Sequence, residues 1–379
     1  MELTDKQKKY QESVRDFSVQ VIEPLAKQID DTGEYPRTLF DQVAEFGLFG
    51  ILAPTEYGGK GMDTVSYAIA VEEVSRVCGS TGIMVAAHNS LGIMPFVLFG
   101  NDEQKNQYLP ILADGKDGLG SFGLTEPGAG SDAGGTKTVG IREGDEWVIN
   151  GSKCFITNAG LCHDLVITAK TEKIPGSRGI SSFIVEKDTP GFIIGKKEDK
   201  MGLRGSDTRE LAFENMRLPQ SKMLGNEGEG FKQFMIILDG GRISIGAMAL
   251  GLAQGAYDYA LEHVKTTSFR GKPKTKYQSY QWKIADMYTK IQAARHLILH
   301  AARLEDEHKE FTMESAVAKL YASEIATESI RNAMQIVGQR GYLEETPLER
   351  MYRDVRLCEV GEGTSEIQRI VIARNLFKS

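Results

Sequence analysis

The sequence predicts an α+β chain that is mainly α: an N-terminal helical domain over residues 1–117, a small central β-domain over 118–226 and a C-terminal four-helix bundle over 227–379. Three observations predict it. Helix start and stop signals crowd the first 115 residues. Short β-branched or aromatic runs separated by Gly, Asp or Pro turns then replace them, and long segments of helical period return from about residue 228.

In the first region Thr4-Asp5-Lys6-Gln7 and Asn101-Asp102-Glu103-Gln104 both fit a capping box, and Gly100 stands where a preceding helix would end. The strand candidates are Glu146–Asn150, Asp164–Thr168, Ser181–Val185 and Glu210–Phe213. Beyond them Ile284, Met287, Ile291, Ala294 and Ile298 recur at helical spacing, with few prolines before Pro347, so three or four long helices would pack together. This order is not the strand–helix alternation of a parallel nucleotide-binding sheet, and no P-loop or GxGxxG follows a strand.

Composition narrows the function. With 379 residues, 45 Lys+Arg against 52 Asp+Glu and no long basic run, the chain is large enough to enclose a ligand and lacks a nucleic-acid footprint. Its four cysteines lie far apart, which fits a reducing, cytoplasmic setting. Residues 1–30 carry Asp5, Glu12, Asp16, Glu23 and Asp30 at amphipathic spacing rather than a signal-peptide core. No apolar run is read as approaching the roughly 18 residues of a membrane span. His296 and His300 stand four apart without a nearby HExxH-type acid, so no metal is expected; a GxSxG nucleophile elbow is also missing.

Three segments carry chemistry. Phe122 to Gly135 holds five glycines between Gly123 and Gly135, with Thr125 and Ser131 as hydroxyl donors. It is either an anion-cradling loop or a Gly-rich connector. Asn150 to Asn158 reads as a turn and then a strand with Phe155 and Thr157 on one face, suited to a planar heterocycle or simply half-buried. Near the C-terminus Gly361-Glu362-Gly363 precedes a predicted N-cap, Thr364. Glu362 is either a reactive carboxylate in a closely approachable backbone or a solvated acid at a helix start.

Taken together and in this order, these segments resemble the acyl-CoA dehydrogenase family over essentially the whole chain. Tyr57-Gly58-Gly59, Lys200-Met201-Gly202, a helix start at Leu238-Asp239-Gly240-Gly241-Arg242, and Glu362-Gly363-Thr364 add further matches. The resemblance implies FAD held without a covalent bond, an acyl-CoA substrate, electron-transferring flavoprotein as electron acceptor, and a homotetramer built as a dimer of dimers. It implies that Glu362 is the general base and that Phe122, Leu124, Thr125, Gly130, Ser131, Phe155 and Thr157 contact the cofactor. Thr364 and Glu366 fall on its side of the last helix. Arg270, Gln335, Gly338 and Gln339 match segments that reach the FAD of a neighbouring subunit. Substrate positions implied are Ser131, Leu238, Asp239, Arg242, Gly361 and Gly363.

Three departures from the family stand out. Gly361 occupies a place where an aromatic residue is common, which with Gly92 suggests a pocket wide near the reacting carbons and suited to short, branched or alicyclic acyl groups. Thr267 replaces an expected Arg, and Gln339 replaces a small residue, so Arg270 or Arg340 would have to restore the charge. Met94, Phe96, Val97 and Leu98 offer no partner to a second carboxylate. Other readings are enoyl-CoA reduction, use of oxygen, or a silent CoA- or flavin-binding scaffold.

Overall fold

The computed structural model describes residues 2–172 and 177–378. Seven helices come first: α1 (Asp5–Phe17), α2 (Glu23–Thr32), α3 (Arg37–Phe46), α4 (Thr64–Ser75), α5 (Gly79–Ala87), α6 (Met94–Phe99) and α7 (Asp102–Asp114). Both capping boxes form: the side chains of Thr4 and Asn101 accept from the N–H three residues on, while Gln7 and Gln104 return the bond. Gly100 closes α6. A π-helical turn, His88–Ile93, joins α5 to α6.

The β-domain is an eight-stranded sheet of β1 (Leu119–Gly123), β2 (Val139–Glu143), β3 (Glu146–Thr157), β4 (Cys162–Lys170), β5 (Ile180–Glu186), β6 (Phe192–Lys197), β7 (Thr208–Pro219) and β8 (Met223–Leu224). Its order is β6-β7-β3-β2-β4-β5-β8, with β1 parallel to β4. The expected turn at Asn150–Ser152 is instead a register shift inside β3, where Gly151 has φ +152° and the chain continues to Thr157. The β-domain builds a core of its own around Trp147, Phe183 and Phe213.

The C-terminal helices are α8 (Gly230–Thr266), α9 (Gln278–Asp306), α10 (Thr312–Val337), α11 (Pro347–Asp354), α12 (Arg356–Val360) and α13 (Ser365–Leu376), with a β9 (Ser268–Phe269)–β10 (Lys272–Pro273) hairpin after α8. The expected helix start at Leu238–Arg242 lies in the third and fourth turns of α8 instead; the segment is a close-packing stretch rather than a terminus. The helical regions before and after the sheet are not separate cores. Val14, Ile69 and Val85 belong to one apolar cluster with Met248, Ile298, Ile330 and Cys358, so the sheet is inserted beside a helical body that closes around it.

Two helical stretches, Gly79–Phe99 and Gly230–Thr266, are long and apolar enough by composition to cross a membrane, which corrects the reading that no such run exists. In both, 72% of the most apolar window is buried within the fold: these are core helices, apolar all round because protein surrounds them.

Candidate active site

Between α12 and α13 the chain turns through two left-handed residues, Glu362 (φ +52°) and Gly363 (φ +91°), before Thr364 caps α13 by accepting from Ile367 N–H. This turn drives the Glu362 carboxyl into the helical body. Oε2 comes so close to α8 that a Cβ on Gly241 would stand 2.0 Å from it. Only glycine fits there. Lys319, fully buried on α10, donates to Gly363 O at 2.6 Å, and Gln368 Nε2 donates to Glu362 O (3.2 Å) and Gly363 O (2.9 Å), so both fix the main chain that carries the carboxyl.

Glu362 Oε2 is shut from solvent and has no hydrogen-bond partner among the described residues. Burial drives its pKa up from the usual 4.5 to about 7, while the charges of Lys319 and Arg242 pull the other way. Arg242 is itself buried and paired with Asp239, whose other oxygen accepts from Thr312 at 2.6 Å. Lys319 is lowered to about 8 by the same burial. A carboxyl poised near neutrality beside a free glycine face is the arrangement a proton-abstracting base needs. Among the described residues nothing accepts from Glu362 N–H.

On the β-domain, Leu124 and Thr125 are half-buried, and Gly130 and Ser131 are exposed. Phe155 sits at a bulge of β3 with φ +58° and is 68% exposed, an aromatic ring held outward by strained backbone while Cys154 and Ile156 point inward. Thr157 is half-buried beside it. Phe122 is enclosed instead, its ring stacked on Phe234 of α8 at 3.8 Å. Glu126 turns inward as well: Lys153 Nζ (2.7 Å), Thr136 and the N–H groups of Lys137 and Thr138 all meet its carboxylate, which they hold at about 2. Its role is to anchor the Gly-rich loop.

Three family models cover the chain in sequence: acyl-CoA dehydrogenase N-terminal domain over 4–116, middle domain over 121–216 and C-terminal domain over 228–377. The chain belongs to the acyl-CoA dehydrogenase family. It is 52% identical over 378 residues to a probable acyl-CoA dehydrogenase, YngJ, of Bacillus subtilis (100% of this chain, 99% of the relative). Against an acryloyl-CoA reductase (NADH) of Anaerotignum propionicum it is 47% identical (99% and 95%). Its fold matches butyryl-CoA dehydrogenase from Megasphaera elsdenii with a TM-score of 0.96 at 41% identity (100% and 99%). It also matches a structure described as "Electron transferring flavoprotein of Acidaminococcus fermentans: Towards a mechanism of flavin-based electron bifurcation" with a TM-score of 0.97 at 43% identity, both chains covered in full.

This acyl-CoA dehydrogenase is an FAD-dependent oxidoreductase, and its residues fit that cofactor. The outward Phe155 offers a ring face, Thr157 a hydroxyl and the buried Asn158 an unpartnered Oδ1; a Cβ on Gly130 would meet nothing within 4 Å, leaving open space at the loop. On the substrate side, Leu238 and Asp239 are half-buried and Arg242 is buried behind Asp239. A cavity of about 260 Å³ opens on the opposite flank of α8, walled by Tyr67, Met94, Leu98, Ile237 and Phe311. Gly361 does not line it; a Cβ there would press on Leu357 at 3.3 Å. Gly92 does not widen it either, because it packs backbone to backbone on Gly120, where a Cβ would come within 2.7 Å.

Gln335, Gly338 and Gln339 are exposed at the end of α10, and Arg270 is exposed at the turn of the β9–β10 hairpin with its guanidinium over Phe269. The structure brings these two segments together through Lys274, which meets His263 Nε2 (2.6 Å) and Ile336 O (3.3 Å). Thr267, at the place of the missing Arg, caps α8 by donating to His263 O. Thr364 is half-buried, and Glu366 is exposed in the first turn of α13. Sequence reasoning missed Lys319, Gln368, Tyr67 and Glu305. Only Lys319 left a signal, as a lone cation on the small-residue stripe Ser315, Ala322, Ala326 of α10.

Proposed function

We propose that this acyl-CoA dehydrogenase oxidises a short acyl-CoA thioester to the trans-2-enoyl-CoA and passes the electrons to electron-transferring flavoprotein. The buried, unpartnered carboxyl of Glu362 against Gly241 carries the reading. Glu362 takes the α-proton; its free N–H polarises the thioester carbonyl from the main chain that Lys319 and Gln368 hold. Bound flavin supplies the acceptor for the β-hydrogen. Tyr67 and Met94 limit chain length, and the butyryl-CoA dehydrogenase likeness supports a short acyl group. Exposed Phe269 of β9, Trp282 of α9 and Tyr342 just after α10 support a homotetramer in which the 267–274 and 335–340 segments complete a neighbour's cofactor site. All four cysteines are buried free thiols, which supports a cytoplasmic setting, and we take 1–117, 118–226 and 227–379 as the domains.

Anaerobic bleaching of the flavin by straight, branched and ring-containing acyl-CoAs tests this directly. Glu362→Gln should lower the rate by orders of magnitude; bleaching that survives the substitution, or acyl-CoA binding without any flavin reduction in the wild type, refutes it. The reductase relative favours a second reading, reduction of a short enoyl-CoA. Turnover with NADH but not with electron-transferring flavoprotein would establish that direction.

A further inference from the structure

Two carboxyls approach α8 at neighbouring glycines. Glu362 abuts Gly241, and Glu305, at the end of α9, abuts Gly240, where a Cβ would lie 3.1 Å from Oε1. Since consecutive Cα atoms are 3.8 Å apart, the two carboxyls stand on the order of 10 Å from each other. Tyr67 lies within the electrostatic reach of both. Glu305 lines the cavity that Tyr67, Met94, Leu98 and Phe311 otherwise make apolar. Its Oε2 is shut from solvent and accepts no hydrogen bond among the described residues.

The Thr64 hydroxyl reaches Glu305 and Asp306, and Oε2 of Glu305 is the oxygen left without a partner among the described residues. Asp306 accepts from the N–H groups of Thr64 (2.6 Å) and Val65 (3.2 Å) at the start of α4, and Asp239 is taken by Arg242 and Thr312. The nearby ammonium of Lys309 is bound to Glu307 at 2.6 Å, and among the described residues no cation pairs with Glu305. A buried acceptor without a donor is a standing cost of folding, and a ligand that supplies the donor removes it. A carboxylate-ended acyl group would meet Glu305 with Asp239 and Asp306 close behind, so that class is rejected.

We propose that Glu305 is a specificity-determining residue that accepts a hydrogen bond from a hydroxyl or amino group near the far end of a short acyl chain. The inference rests on the proposed reading of this site as one for short acyl-CoAs. A pocket built around a polar partner rejects the analogue that lacks it far more strongly than an apolar wall rejects a methylene.

The test uses flavin-loaded enzyme with 5-hydroxypentanoyl-CoA, its methyl isostere hexanoyl-CoA, 5-aminopentanoyl-CoA and butyryl-CoA. Wild type should favour the hydroxy or amino substrate over hexanoyl-CoA at least tenfold in kcat/KM, and Glu305→Leu should reverse that order. Glu305→Gln keeps a hydroxyl preference and loses an amino preference, which separates the two donors. Dissociation constants measured on Glu362→Gln, where chemistry is blocked, should follow the same order. Equal or better use of hexanoyl-CoA by wild type, or a uniform change across the panel in Glu305→Leu, overturns the proposal. Butyryl-CoA reports the broader reading by itself. If it fails to reduce the flavin while the binding preference persists, the reaction is wrong and Glu305 still reads the donor; intact reduction with no preference overturns the role of Glu305 alone.

Discussion

The protonation of Glu362 should govern the rate of α-proton removal across the neutral range. Burial moves this carboxyl from 4.5 to about 7, which corresponds to about 3 kcal/mol in favour of the neutral form. A base works only when ionised, so about a tenth of the enzyme is competent at pH 6 and about nine tenths at pH 8. An ordinary carboxylate would be almost fully ionised at both. Stopped-flow flavin reduction by butyryl-CoA under anaerobic conditions, read as kcat/KM against pH, should therefore rise roughly tenfold between pH 6 and 8. Lys319→Met removes a positive charge that favours the ionised base, so the midpoint should move to higher pH. A flat profile from pH 6 to 8, or a midpoint unmoved or lowered in Lys319→Met, would refute the electrostatic account of the site.

Gly241→Ala adds a methyl 2.0 Å from Glu362 Oε2, so the carboxyl must move and kcat should fall at least tenfold; an unchanged kcat would show that the close fit at Gly241 does not position the carboxyl. Glu126→Ala leaves Lys153 buried and unpaired, so denaturant titration should show a loss of about 3–5 kcal/mol. Asp354, buried and accepting from Leu203 N–H, is raised from 3.8 to about 7. Between those values the unfolded chain releases a proton that the folded chain keeps, so folding loses stability as pH rises through that window. The Tm advantage of Asp354→Asn over wild type should accordingly grow from pH 5 to pH 8; a constant or shrinking difference contradicts it. Sedimentation of flavin-saturated protein should show no monomer, because a cofactor completed by a second chain couples binding to assembly.

Much of this molecule was legible as local pattern. The capping boxes at Thr4 and Asn101, the strands around Trp147, Val166 and Phe183, and the N-cap at Thr364 depend on residues within a few positions of each other, and short-range hydrogen bonding, with continuous apolar runs in strands buried on both faces, writes them into the chain. Glu362 stood out as a glycine-flanked carboxylate before a cap, and the resemblance to the acyl-CoA dehydrogenase family, not the local pattern, made it the candidate base. The continuation of β3 through Gly151 was not visible, since a glycine with positive φ serves a bulge as well as a turn. Nor could the sequence show why Gly92 is small: Gly120, the residue it meets, is 28 positions away and joined to it by packing alone.

The sequence by itself determined the order of helical and β regions, because that order is a matter of residue type and near-neighbour spacing, while its resemblance to the acyl-CoA dehydrogenase family singled out Glu362 as the candidate base. Only the tertiary structure decided how the base works and what surrounds it. The neutral-range carboxyl of Glu362 arises from burial between α8, α10 and the α12–α13 turn, with Lys319 and Gln368 reaching in from separate helices. Glu126, beside the same Gly-rich signature, became a loop anchor because Lys153 and Thr136 fold over it. Glu305 became part of a cavity wall because α9 ends against Gly240. Desolvation and long-range charge act through space, and the spacing of residues along a chain does not encode which distant groups will exclude water from a carboxyl.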